Sequence, residues 1–429
     1  QFFVSLTTAK YDSGDTAWVL VSAAMVLFMT PGLALFYAGM VRSKNALAML
    51  LQNVTAIAVV SIVWVIAAYS LAFGPNTFGG LIGNLHFAGF ANPTDPPTGF
   101  TLTIPPLAFA IFQMMFAVIT LALITGATAD RLRFGAFVAL AVVWPLAIYA
   151  PLAHWYFSPD GFMFKMGALD FAGGNAVEMN CGAAGLALVV LLKARRGWPR
   201  DAMHPHNLPL TLTGAGILWF GWFGFNAGSA LQANGLAAQA FVSTHLASCG
   251  GLLGWIAVER WRNGRATTLG GASGAIAGLV AITPANGYVS TIPALLIGAA
   301  AGVASVYAIN LKFRFGYDDS LDVVGVHYVG GVVGIVSLGL FASHGVNDSI
   351  THQGLLYGGG LTLLGIQLLS VLVTTLFSFC GTYAVGWTIS RFTPLRVTPE
   401  QEVEGLDTAL HAETAYDIGS TRAFGRAGA

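Results

Sequence analysis

Charge is what this chain is short of. Only 9% of its 429 residues are Asp, Glu, Lys or Arg, against about 25% in soluble domains. Cysteine is scarce as well. Cys181, Cys249 and Cys380 stand far apart in apolar stretches, a spacing that suits neither a disulfide framework nor a zinc cluster. They read as small buried thiols. No glycine-rich nucleotide loop is present, and no segment has the composition of a soluble enzyme domain. No cofactor, no metal and no nucleic-acid partner is expected, and the chain does not read as an enzyme. What fills the sequence is apolar: 55% of residues are hydrophobic, and 53 are glycine. Small residues let helix backbones approach closely inside a bilayer. The chain reads as an all-α integral membrane protein. It starts at Gln1, which a cleaved signal peptide or a trimmed start would explain.

After a polar lead over 1–15, eleven apolar segments follow at 16–39, 45–73, 103–126, 134–157, 170–193, 207–230, 236–259, 267–285, 288–310, 320–342 and 356–390. Most reach the length of about 20 residues that spans a bilayer. The longest connection, 74–102, contains Pro75, Pro93, Pro96 and Pro97 and reads as an ordered cover outside the membrane. A polar tail occupies 391–429. Lys and Arg concentrate in alternate loops: Arg42 and Lys44, Arg131 and Arg133, Lys193 to Arg200, Arg260 to Arg265, Lys312 and Arg314, then Arg391, Arg396, Arg422 and Arg426 in the tail. The other loops hold only Lys10 and Lys165 of the 19 basic residues. The basic set belongs on the cytoplasmic side, so the expectation is N-out, C-in and an odd number of spans.

The fifth segment, DFAGGNAVEMNCGAAGLALVVLLK, is unlike the rest. It opens on Asp170 and carries Glu178 eight residues further in. A carboxylate at that depth costs roughly 2.5–3.5 kcal/mol on insertion scales and is a functional hypothesis by default. The tenth segment echoes it, with Asp319 and then His327 at the same spacing. Eight residues are about 12 Å of helix. The two segments run in opposite directions, so Glu178 and His327 should meet near the midplane. Such a pair would titrate as a unit, and a glutamate there favours a neutral or cationic substrate over an anion. The echo supports a five-plus-five inverted repeat, over about 16–193 and 207–342, with an added helix at 356–390.

Asp170 can cap its own helix or hold the backbone beside a cation site. Asp319 and Asp322 open the tenth segment and read as caps. Trp222, Phe225 and Ser229 lie three and four residues apart, so they share a helix face. That face is either an interfacial belt or a vestibule that holds a cation over aromatic rings. Phe112 and Phe116 repeat the spacing and read as core packing on periodicity alone. His154 and His245 read as structural, His204 and His206 as solvated loop residues.

Taken together these stretches resemble the Amt/Mep/Rh ammonium transporters. The resemblance is carried by DFAGG with a polar residue eight positions after the Asp, and by FMTPGLALFYAGMVRSKN (28–45) and PHNLPLTLTGAGILWFGWFGFNAGSA (205–230). GAIAGLVAITPANGY (274–288) and DVVGVHYVGG (322–331) carry it further. The tail LRVTPEQEVEGLDTALHAETAYD (395–417) looks like that of bacterial Amt proteins, and the whole chain lies nearer the Amt branch than Rh. The resemblance implies a homotrimer in the cell membrane, each protomer with its own narrow pore through a single domain over 1–390, and a cytoplasmic tail over 391–429. It implies ammonium as substrate, with methylammonium as a candidate analogue, and a PII-type signal protein as a candidate cytoplasmic partner.

By position, the resemblance puts Trp222 and Ser229 at an outer recruitment site and Phe112 at that site or in its vestibule. Phe116 and Phe225 become a stacked gate, Asp170 an aspartate needed for activity, and Thr283 a polar residue near the outer mouth. His327 is the second of two pore histidines. Two positions depart from the pattern. Glu178 stands where the first pore histidine is usual, as in some fungal Mep proteins, which puts any relay needing two imidazoles in doubt. Phe157 stands at or near a position usually held by Trp, with Trp155 two residues away. Three activities stay open: electrogenic transport with deprotonation near the outer site, an ammonium sensor on the same fold, and an electroneutral ammonia channel of the Rh kind. No output domain such as a kinase is recognisable, which argues against a fused sensor.

Overall fold

The computed structural model describes residues 11–416. Lys10, Arg422 and Arg426, counted above for orientation, lie outside the described residues. Among the described residues ten helices are long and apolar enough to cross a membrane: α1 (Ser13–Met40), α2 (Ser43–Phe73), α3 (Pro106–Thr128), α4 (Phe134–Lys165), α5 (Gly174–Leu192), α6 (Leu208–Gly228), α7 (Gly235–Asn263), α9 (Thr291–Phe315), α10 (Val324–Phe341) and α11 (Thr362–Ser390). A shorter apolar helix, α8 (Thr268–Ile282), falls in the eighth apolar segment. Among the described residues the fold is all-helical apart from a hairpin of two-residue strands, Asn76–Thr77 with Ile82–Gly83, in the long connection, and an isolated bridge between Leu132 and Arg396. That connection is packed as expected of a cover: Phe87 is buried, and the Trp155 indole donates to the Leu81 carbonyl at 2.7 Å.

Side-chain caps mark several helix starts. Asp12, Asn207, Asn234 and Thr267 accept N–H groups in the first turns of α1, α6, α7 and α8, satisfying donors the helix itself cannot. The α1–α6 contact is close because Gly214 sits against the Phe36 backbone, where a Cβ would collide. α11 is exposed over most of its surface, yet one stripe is buried: Gln367, Ser370, Thr374, Ser378 and Thr382. These polar side chains recur every three or four residues and bond the neighbouring helices. Gln367 makes paired bonds with the Leu169 N–H and C=O, Thr374 donates to Asn175, Ser378 to Asn180, and the Trp144 indole donates to Thr382. In lipid, a polar group must find its partner inside the protein, and this ladder fastens α11 to the start of α5.

Three of the basic loops, those of Lys44, Arg131 and Arg196, meet the tail. Arg195 pairs with Asp318 at 2.8 Å and with Asp130 at 3.1 Å, and Arg131 donates to the Asp318 carbonyl. Burial alone would raise the Asp318 carboxyl, but the bonds and charge of Arg195, with the charge of Arg131, hold it below the usual range. Two short tail helices, Pro399–Glu404 and Leu406–His411, dock here. Asp407 accepts the Leu47 and Ala48 N–H groups, and Glu402 bonds Arg196 and Arg396. His206 is part of this face rather than simply solvated: its ring bonds the Val41 carbonyl and the Tyr416 hydroxyl.

The cysteine reading needs correction. Cys181 is buried, but Cys249 is only half-buried and Cys380 is exposed. An apolar segment says nothing about which side of its helix faces lipid.

Candidate functional site

α5 begins at Gly174, four residues after Asp170. The aspartate therefore caps from outside the helix instead of opening it. Its two oxygens accept N–H bonds from Gly173, Gly174, Asn175 and Ala176 at 2.6–3.2 Å. This wrap requires Gly173 at φ 122°, a conformation that side chains strongly disfavour. The first turns, Gly174–Met179, are π-helical. Such widened turns commonly occur at functional sites. Glu178 sits in this one, 1% exposed.

α10 repeats the arrangement. Asp319 accepts the Val324 N–H at 2.7 Å, Val324–Tyr328 is π-helical, and His327 lies within it, 3% exposed. The two widened turns face one another. His327 Nδ1 is 2.8 Å from Glu178 Oε2, a hydrogen-bonding distance whichever partner holds the proton. The expected meeting of the two groups is thus present as a direct contact.

Two cavities lie along this line. The first, of about 170 Å³, is lined by Gln113, Phe116, Phe157, Asp170, Ser229 and Tyr288, among others. The second is lined by Glu178, His327, Trp222 and Phe225 and is about 10 Å³, room for roughly one water-sized molecule. Phe116 borders only the first and Phe225 only the second. Their rings are 4.2 Å apart, centre to centre, at 32°. This ring pair is the wall between the cavities.

The remaining expected residues divide across that wall. Ser229 lines the first cavity, its hydroxyl bonded to the Phe225 carbonyl at 2.8 Å. Trp222 lines the second. A single vestibule made of Trp222, Phe225 and Ser229 is therefore corrected: seven residues of helix are about 10 Å of depth, enough to put a sidedness between residues that share a face. Thr283 is fully buried and accepts the Trp222 indole N–H at 2.8 Å, so it holds Trp222 in place and does not line the first cavity. Phe112 lines neither cavity. It is buried with its ring edge-on to Phe116 at 4.9 Å. Of the two aromatic alternatives, Phe157 faces the first cavity, whereas Trp155 is packed against Phe162 and Phe377.

His154 is structural, fully buried with Nδ1 on the Ala72 carbonyl. Three polar residues that line the first cavity, Gln113, Tyr156 and Tyr288, escaped the sequence reading. Gln113 stood as a lone amide in an apolar helix beside Phe112, a signal that could have been used. Tyr156 and Tyr288 carried none, since a buried tyrosine is ordinary core. The reading also kept every cysteine out of any ligand cluster. Cys181 nevertheless lies with its Sγ inside a set of ligand atoms from Glu178 and His327 that are all within 4.8 Å of one another.

Residues 17–416 match the profile of the Ammonium Transporter Family. A Mycobacterium tuberculosis protein named ammonium transporter is 47% identical over 433 aligned positions, covering 95% of this chain and 91% of the relative. The Mep2 structure from Saccharomyces cerevisiae superposes with a TM-score of 0.85 at 34% identity, covering 91% of this chain and 89% of Mep2. A structure titled "Sensor Amt Protein" gives the same TM-score at 29% identity, over 93% and 98% of the two chains. With a match of this extent in sequence and fold, the chain belongs to the ammonium transporter family.

Proposed function

We propose that the protein moves ammonium across the membrane through one narrow pore per protomer, running from the 170 Å³ cavity past the Phe116–Phe225 rings to Glu178 and His327. The observation that carries the reading is the small size of the Glu178–His327 cavity, about 10 Å³. It admits a single molecule of the size of ammonia and excludes a hydrated ion.

Ammonium is almost wholly protonated at neutral pH, and moving a bare cation through an apolar constriction is costly. The wide cavity receives the cation. Asp170 supplies negative potential, its carboxylate already ordered by four N–H groups. The faces of Phe116 and Phe157 offer cation–π contact, and Ser229 offers a hydroxyl oxygen. Ammonium then gives up one proton, and neutral ammonia passes the ring pair as the rings part. Phe112 braces Phe116 from behind, and Thr283 fixes the Trp222 indole that forms a side of the inner cavity. The Glu178–His327 pair takes up the separated proton and passes it inward. Ammonia plus proton re-form ammonium beyond the pair, so one charge crosses per molecule carried.

The same reading places eleven spans in the membrane, counting the short α8, with the N-terminus outside and the C-terminus in the cytoplasm. The clustering of Arg42, Lys44, Arg131, Arg195 and Arg196 on the tail face supports that orientation. The two capped, π-widened turns support a five-plus-five inverted repeat over about 16–193 and 207–342, within a single transporter domain ending near residue 390. α11 stands outside that repeat, and a tail follows it. The family resemblance supports a homotrimer in the cell membrane, and the docked tail offers a cytoplasmic surface for a PII-type protein. A second reading, a sensor, is favoured by the likeness to the protein titled as a sensor. Current and uptake recorded together in proteoliposomes separate the readings. Charge moving with ammonium supports transport; binding without flux supports the sensor; uptake indifferent to voltage supports a channel for neutral ammonia.

A further inference from the structure

We propose that Glu178, Cys181 and His327 form a binding site for a soft divalent metal ion, and that the bound ion blocks the pore. The proposal rests on the pore reading only for the block; the metal site stands on its own geometry.

Glu178 and Cys181 are three residues apart on α5, the spacing that puts two side chains on one helix face. His327 reaches them from α10. A carboxylate and an i+3 ligand on one helix, completed from a facing helix, is a recurrent way to build a metal site inside a bundle. The three ligand atoms all lie within 4.8 Å of one another. Ligands at about 2.0–2.3 Å from a tetrahedral ion stand roughly 3.5 Å apart. Small side-chain rotations therefore close the set. The Cys181 thiol now rests on the Glu178 carbonyl at 3.1 Å, a weak bond that a metal–sulfur bond replaces.

The donor set selects the ion. A thiolate favours soft or borderline ions such as Cd²⁺ and Zn²⁺ over Mg²⁺ and Ca²⁺. Binding breaks the S–H bond and releases that proton to water as the metal–sulfur bond forms. A divalent ion held by one thiolate, one carboxylate and one neutral imidazole has no net charge. Net charge is what a buried membrane site tolerates least, so the loaded site is favoured over an ion paired with one acid alone. The ion occupies the contact that links Glu178 and His327, at the edge of the small cavity that those two residues line and Cys181 does not. The Phe116–Phe225 wall stands across the approach, so block develops slowly on exposure to the metal.

The test uses Cd²⁺ and the full chain carrying Cys249→Ser and Cys380→Ser, which leaves Cys181 as its one thiol. One Cd²⁺ per protomer should bind, with a cadmium–thiolate charge-transfer absorption. Ammonium uptake should fall in parallel. Cys181→Ala should abolish the absorption and raise the half-inhibiting Cd²⁺ concentration by about tenfold or more, with uptake in the absence of metal retained. Glu178→Gln should weaken Cd²⁺ binding but keep the absorption, a control that does not depend on the Cys181 variant folding. Absence of bound Cd²⁺, or absorption or inhibition unaffected by Cys181→Ala, would overturn the proposal. If the protein moves no ammonium, the transport reading fails, while the absorption still decides the metal site.

Discussion

The Glu178 carboxylate and the His327 imidazole touch at 2.8 Å, both buried, each presented by a π-helical turn behind a capping aspartate. The geometry of so close a pair depends on the two caps as much as on the two side chains.

The Asp170 cap carries the first prediction. Asp170→Ala removes the acceptor of four N–H bonds. Loss of a cap costs about 1–2 kcal/mol, which should lower the melting temperature of the detergent-solubilised protein. Asp170→Asn keeps an acceptor oxygen and should recover most of that stability without recovering transport. If Asn restores both, Asp170 is a cap alone.

The ring wall gives the second. Phe116→Ala should join the two cavities and let water reach Glu178. Ammonium should then lose its advantage over potassium, visible as a potassium current that wild type does not pass. Phe112→Leu, one layer behind, should change this selectivity far less.

The α11 ladder gives the third. Gln367→Leu leaves the Leu169 N–H and C=O without their partner. A buried polar group so orphaned costs about 1–3 kcal/mol, read as earlier thermal unfolding. Because Leu169 precedes Asp170, transport should fall as well, although Gln367 borders neither cavity.

The fourth concerns pH. The Asp318 carboxyl is held below its ordinary range by Arg195 and Arg131 against the opposing pull of burial. Its stabilising contribution is fully present above the unfolded value, about 3.9, and is lost as pH falls through the lower folded value. Unfolding midpoints measured downward from pH 5 should therefore drop. Arg195→Met leaves Asp130 with Arg42 and Asp318 with the more distant Arg131, so it should reduce stability by about 1.5–3 kcal/mol, the worth of the charge-assisted bonds lost, and should flatten that acid dependence.

Much of this arrangement was legible beforehand, for identifiable reasons. Apolar length located the helices, because lipid demands long runs. The equal spacing from Asp170 to Glu178 and from Asp319 to His327 foretold their contact, because helical rise converts residue number into depth. Depth along a single helix face was harder. Trp222 and Ser229 share a face of α6 but lie on opposite sides of a wall whose other half, Phe116, comes from α3. Burial of the cysteines failed for a related reason: composition cannot tell the inward side of an apolar helix from the lipid side, so Cys380 and Cys181 looked alike. The polar stripe of α11 was visible as Gln367, Ser370, Thr374 and Ser378, but its purpose depended on partners almost 200 residues away.

The central claim is that Glu178 handles the proton that accompanies ammonia. Ammonium-driven current and labelled methylammonium uptake should be recorded together from pH 5 to 8 (about neutral, on either side of an imidazole's ordinary range), for wild type and Glu178→Gln. The account predicts that Glu178→Gln stays folded while its current falls on the order of a hundredfold and its wild-type pH dependence disappears. Wild-type current and an unaltered pH profile in Glu178→Gln would contradict it.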